Sequence, residues 1–383
     1  MQYNERYTFN TSSTIQGGMN LLYIIGVIIL FFLAYYLIQK KFIFVQTVSG
    51  AIVMALGVFS LNVGPHFGQS TAWYKILAIF TATIWAFCMV SYIISVFTGN
   101  FKKLHYENLI GRFRIGTWVA STSVTVIIIS NYFPMFHRMI LPLVIMNTLL
   151  WLGFFVISIK SIIHIWQGKI DVNVNGILLL TTVSTQSLVL MYNNVWHDFS
   201  SYMYINTTLI GLGFIFYTLS SILIVKRYML SAWSLVNDWK APNCIIHGAL
   251  SIIGSGAVIS QTFSYNQLLL LWIIVLLTFV IHEIVEIIRG TRRIKTYGWK
   301  EGVAVYHPSQ WSRIFTFCMF YTFTLKFNAN FDIQTSWIAL SQQLILDYGK
   351  WVIASLLLIE IGLFFRSLFP NKVQDIDLQQ TAN

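Results

Sequence analysis

Two glutamates three residues apart, Glu283 and Glu286, follow His282 in the segment HEIVEIIRGTRR, with Arg289 and Arg292 further along. In a helix that spacing puts both carboxylates on one face, within reach of arginines three or four residues away. Two chemistries suit the pattern: a structural ion-pair cluster, or a proton relay. His247, in NCIIHGALS, is a further relay candidate, a titrating gate or pore-mouth ligand with an ordinary pKa of about 6.5; its plain alternative is a packing residue. HEIVE lacks the second histidine of HExxH, and the chain carries no GxSxG turn, P-loop or glycine-rich nucleotide turn. Cys88, Cys244 and Cys318 lie far apart and form no CxxC. Hydrolytic and nucleotide chemistry therefore have no motif to rest on, and neither a metal nor a cofactor is implied.

A different chemistry is offered by residues 307–327, HPSQWSRIFTFCMFYTFTLKF. The stretch is long enough to cross a bilayer, yet it is rich in hydroxyls and phenylalanines and holds an arginine, which makes it a poor helix to show to lipid. Turned inward, its small hydroxyl residues would coat a narrow passage, and Phe315 or Phe317 could stand across it. Arg313 sits a few residues into this span, where an unpaired charge costs about 2.5–3.5 kcal/mol on insertion scales. It is read either as an anion-attracting charge at the cytoplasmic pore end or as a snorkelling side chain.

The elements that position these residues follow from composition. Of 383 residues 56% are apolar and 10% charged, and the apolar ones fall in long runs with short polar loops between them, the pattern of a multi-pass membrane protein. The runs lie at 20–38, 42–63, 73–97, 113–130, 139–163, 176–195, 204–225, 244–263, 267–288, 311–327 and 350–369. The first has no basic leader or cleavage site and reads as a retained helix, not a signal peptide. This divides the chain into a tail and extra span at 1–41, a ten-span unit at 42–369 and a C-terminal tail at 370–383.

The net charge of +11 does not indicate nucleic acid, because it is confined to alternate loops. Lys40/Lys41, Lys102/Lys103/Arg112/Arg114, Lys160/Lys169, Lys226/Arg227/Lys240, Arg289 to Lys300 and Arg366/Lys372 mark one side; the loops at 63–72, 131–136, 196–201 and 264–266 are nearly bare. The positive-inside rule makes the basic side cytoplasmic, the N-terminus external and the C-terminus cytoplasmic, with some charge available to anionic lipids.

The ten spans from residue 42 pair into five hairpins whose first members carry small and hydroxyl residues and whose second members are bulkier. Small-polar helices approach closely and belong inside, while leucine-rich ones face lipid. The expected architecture is all-α: an inner ring of five helices around a pore, an outer ring of five, and one extra N-terminal helix. The wall of that pore is assigned to Gly50, Gly57, Thr117, Ser121, Thr181, Thr182, Thr185, Ser251, Ser255 and Thr316.

With SGAIVMALGVFS at 49–60, RFRIGTWVASTSV at 112–124 and WSRIFTFCMFYTFT at 311–324 in this order, the chain resembles the tellurite-resistance/C4-dicarboxylate transporter family, which includes bacterial TehA proteins, fungal malate permeases and plant slow anion channels. The resemblance spans about 42–369. It implies a pore within each monomer, closed by a phenylalanine, and assembly as homotrimers. Carried over, the gate is Phe315, four residues after Trp311; the family often has Gly or Pro next, where this chain has Thr316, and Phe317 is the alternative.

The resulting expectation is transport of small anions across the plasma membrane, not an enzymatic activity. A pore wall without carboxylates and with basic cytoplasmic mouths disfavours cations. The alternative on the same fold is a proton-coupled carrier of C4-dicarboxylates, tellurite or sulfite. A remoter one is a haem or redox protein using His247, His282 and His137.

Overall fold

The computed structural model of the chain describes residues 44–68, 71–168, 173–331 and 336–368. The expected extra span at 20–38 and the tail at 370–383 lie outside them. Among the described residues there is no strand, and the α-helices run in the order α1 (Gly50–Val58), α2 (Thr71–Phe97), α3 (Gly116–Tyr132), α4 (His137–Gln167), α5 (Leu180–Val195), α6 (Met203–Leu230), α7 (Ile245–Ile259), α8 (Tyr265–Gly302), α9 (Trp311–Asn330) and α10 (Ser336–Ser367).

Eight helical stretches in the described residues are long and apolar enough to cross a membrane. The runs read at 176–195 and 311–327 do form helices, α5 and α9, but fall short of that apolar standard. Their Gln186, Asn193, Asn194, Arg313 and Lys326 are the reason, and most of the two helices is enclosed by neighbours. Two helices outrun the sequence reading. α8 continues past Ile288 and reaches Gly302 only across a break at Gly298, whose φ of 75° is left-handed. α10 is helical from Ser336, with Gln342, which looks like a loop residue, buried and accepting a bond from Asn328 Nδ2 at 3.1 Å.

Burial divides the helices by parity. In the stretches containing α1, α3 and α7, 78–89% of the most apolar window is buried, against 17–39% in those containing α2, α4, α6, α8 and α10. The packing of one helix on another follows the same division. α1 packs on α3, α3 on α5, α5 on α7, α7 on α9 and α9 back on α1, so the odd-numbered helices close a cycle. Each even-numbered helix packs on the odd one before it, and the exposed Leu, Ile and Trp side chains are concentrated there.

The hydroxyls hold these layers together. Trp85 on α2, Trp151 on α4 and Trp272 on α8 donate from Nε1 to Thr122, Thr185 and Thr324 at 3.0, 3.1 and 3.0 Å. Each threonine in turn donates to the carbonyl four residues earlier in its own helix, so the hydroxyl is satisfied in both roles. Between α5 and α6, Thr182 donates to the Gly213 carbonyl and Gln186 to the Leu209 carbonyl instead. Such bonds average only about 0.6 kcal/mol in a bilayer, and the repeat of the device fixes how the layers register.

Every odd-numbered helix is entered through a 3₁₀ turn: Thr47–Ser49, Gly111–Ile115, Gly176–Leu179, Ala241–Cys244 and Pro308–Gln310. These five turns also touch one another in a closed cycle. Missing side chains permit the approach: a Cβ on Gly176 would lie 2.0 Å from the Pro242 carbonyl oxygen, and one on Gly248 would lie 2.2 Å from Thr316 Cγ2. Backbone cannot give way as a side-chain tip can. Gly176→Ala is therefore expected to cost about 1–3 kcal/mol, the range for overpacking, seen as a lower unfolding midpoint in detergent. A midpoint equal to wild type would contradict this packing.

Candidate functional site

The cycle of 3₁₀ turns surrounds a small void of about 10 Å³. Val48 and Thr117, Ile177, Pro242, Ser309 and Phe315 line it, so all five odd-numbered helices or the turns leading into them contribute. A void needs about 10–15 Å³ to hold one water, so the space is closed to any hydrated ion. Phe315 is buried at 3% exposure and packs in the surrounding apolar cluster with Val48, Ala51, Met54 and Ile245.

Polar bonds hold the wall of this void in place. The Thr47 carbonyl accepts from Thr117 Oγ1 at 3.1 Å and from Trp118 Nε1 at 2.9 Å, and Trp118 is stacked on Tyr92 with ring centroids 3.9 Å apart. On the opposite side the Gly176 amide donates to Asn243 Oδ1 at 2.9 Å, and Asn243 Nδ2 donates to the Tyr228 hydroxyl at 2.7 Å. Ser312 donates to the Ser309 carbonyl at 2.6 Å and lies 3.6 Å from Cys244 Sγ. Sequence reasoning missed Thr47, Trp118 and Asn243; an Asn directly after a proline, beside a basic loop, was the one available signal for the last.

The turn at Thr47–Ser49 is also tied to His105, whose Nδ1 lies 2.8 Å from Thr47 Oγ1 and whose ring stands edge-on to Trp118. His105 belongs to the segment Lys102–Tyr106, between two spans, and burial pushes its pKa down from 6.5 to about 4. The folded state thus keeps it neutral where the unfolded chain takes a proton. Stability should fall as pH drops from about 6.5 towards 4, with a slope of at most about 1.4 kcal/mol per pH unit. His105→Gln should flatten that part of the unfolding-midpoint profile; an unchanged slope would exclude His105 as its source.

Of the residues assigned to a pore wall, Thr117 alone lines this void. Gly50 faces the Thr117 backbone and Gly57 faces Val124 Cγ1, so both serve α1–α3 contact. Thr182 bonds to α6 and Thr185 to Trp151 on α4, while the methyl of Thr316 abuts Gly248. The hydroxyls of Ser121, Thr181, Ser251 and Ser255 return to carbonyls of their own helices or entry turns. Threonine and serine were read as wall because they are small and polar; the same properties suit them to helix contacts, and at Gly50, Gly57, Thr182, Thr185 and Thr316 contact is what they make.

Phe317 is likewise directed elsewhere. Its ring packs against Phe279 on α8 at 4.9 Å and near His247 at 6.3 Å, with the Arg313 guanidinium 5.8 Å from its centroid. Of the two candidate rings, Phe315 is therefore the one at the void.

Arg313 is not the unpaired cation the sequence allowed. It bonds to Glu283 on α8 and lies 3.8 Å from Glu286 Oε2. Glu286 also accepts from Trp239 Nε1 at 2.7 Å and pairs with Arg289 at 3.2 Å, so Arg289 and not Arg292 makes the intrahelical pair. The cluster joins α8 to α9 two residues before Phe315. Beside it, His247 is fully buried with neither ring nitrogen hydrogen-bonded, 6.1 Å from His282, which donates from Nδ1 to the Thr278 carbonyl at 2.7 Å. His137 is exposed at the start of α4, apart from this pair.

Compared with protein families and with curated proteins, the chain matches none of them.

Proposed function

We propose that the five odd-numbered helices form the wall of a pore for small anions, with the even-numbered helices as a lipid-facing outer ring and Phe315 as the plug. The observation that carries this is the void at Phe315, to which every odd-numbered helix or its entry turn contributes a residue. All five helices begin at that end, and each helix N-terminus carries about half a positive charge, so their combined field favours an anion. None of the lining residues is acidic. The basic loops precede these same N-termini, which supports placing this end on the cytoplasmic side of the plasma membrane. Membership of the tellurite-resistance/C4-dicarboxylate transporter family and assembly as a trimer belong to the same proposal and rest on the resemblance at 49–60, 112–124 and 311–324.

The test is flux through purified protein in liposomes, chloride and nitrate against malate, with and without a pH gradient. Gradient-independent chloride and nitrate flux is the expected result. A second reading, proton-coupled carriage of a dicarboxylate, draws on the buried His247–His282 pair beside Glu283, Glu286 and Arg313. Saturable malate uptake that requires the pH gradient would replace the first reading with the second.

A further inference from the structure

A second cavity, of about 330 Å³, opens beside the charged cluster, between the far end of α8, the turn Ala241–Cys244 and the residues leading into α9. Three arginines line it, Arg289, Arg293 and Arg313, with Glu286 also in the lining and Glu283 bonded to Arg313, so three cations meet two carboxylates. Its volume falls in the range of small-ligand sites, about 300–1,000 Å³.

The arginines are fixed in place but not saturated. Arg293 donates from Nε to the Gly302 carbonyl at 2.7 Å and from Nη1 to the Val236 carbonyl at 3.0 Å, which holds the returning chain over the end of α8. The Nε groups of Arg289 and Arg313 are buried without a hydrogen-bond partner. A buried unpaired donor is costly, about 1–3 kcal/mol, and guanidinium donors match an anion with several oxygens at tetrahedral spacing far better than a single-atom halide. Partly buried arginines with two enclosed, unpartnered Nε donors distinguish the cleft from a solvated basic loop.

We propose that this cleft binds a phosphate group, as a free phosphate or as the headgroup of an anionic lipid. The site is separate from the void at Phe315 but shares structure with it: Ala241 and Cys244 belong to the turn whose Pro242 lines the void, and Arg313 lies two residues before Phe315. Binding does not depend on what the pore carries, so failure of the transport reading leaves it standing.

The experiment uses the full chain in nanodiscs of zwitterionic lipid, titrated with inorganic phosphate against chloride at equal ionic strength, following the unfolding midpoint. A second arm replaces part of the lipid with phosphatidic acid and omits free phosphate. Saturable stabilisation in the first arm identifies a soluble phosphate; stabilisation in the second alone identifies a headgroup. In either case the double variant Arg289→Gln/Arg293→Gln should weaken the response at least about tenfold, and Arg289→Lys, which keeps the charge but loses the fork, should weaken it less. If the double variant does not fold, Arg289→Lys against wild type decides. No saturable response in either arm, or responses equal in wild type and variants, would overturn the proposal.

Discussion

Phe315→Ala should raise anion flux at least about tenfold, the change that follows when roughly 1.4 kcal/mol is taken off a barrier. The ring sits at a void of about 10 Å³, and nothing larger than one water passes beside it. Opening wild type requires the ring to leave its rotamer, at about 0.5–1.5 kcal/mol, and to be replaced by water in an apolar constriction. Alanine removes both requirements together. Loss of a buried phenylalanine also costs about 3–5 kcal/mol of stability, so the variant needs its unfolding midpoint measured beside its flux. Phe317→Ala provides the control: its ring packs on Phe279 and near His247, and flux should remain close to wild type. A folded Phe315→Ala protein with unchanged flux would remove Phe315 from the pathway.

Arg313→Met should be the most destabilising change in the charged cluster. Side-chain exposure is 31% for Arg313, 17% for Glu283 and 11% for Glu286; the substitution strands the largely buried Glu283, while Glu286 keeps Arg289 and Trp239. Breaking a buried pair by removing one partner costs about 3–5 kcal/mol, and the partial exposure of Arg313 places this case near the lower end. Removing the carboxylates as well should restore part of the loss. The triple variant Arg313→Met/Glu283→Gln/Glu286→Gln is therefore expected to be more stable than Arg313→Met, with coupling of about 0.5–3 kcal/mol. Unfolding midpoints in one detergent would measure it; losses that simply add would mean that the three charges do not act as a unit.

The helices were readable from sequence because a bilayer demands long apolar runs, and the parity of the helices was readable because lipid-facing and enclosed surfaces need different residues. The limits of that reading also have physical causes. Gln342 is polar in composition but buried in fact, which hid the first turns of α10. Thr182 and Thr185 look the same in sequence whether they face an axis or a neighbouring helix, and only the positions of Gly213 and Trp151 decide it. The partner of Arg313 is thirty residues away on another helix, a pairing that local spacing cannot show. Phe315 and Phe317 are two residues apart, about 200° around a helix of 3.6 residues per turn, so they point to different sides, and the sequence left both open while naming Phe315 first. The cycle of 3₁₀ turns had no sequence signal beyond Gly176, Pro242 and Pro308, each unremarkable alone.

The central claim is that anions pass through the middle of the odd-numbered helices at Phe315, and cysteine modification tests it most directly. In a Phe315→Ala protein with Cys88, Cys244 and Cys318 replaced, Thr117→Cys would present a thiol at the void, while Thr182→Cys would place one against α6. A charged thiosulfonate reagent should block flux through the Thr117→Cys protein and leave the Thr182→Cys protein unaffected. Flux that persists in a fully modified Thr117→Cys protein, or that is blocked at Thr182→Cys instead, would contradict the pathway.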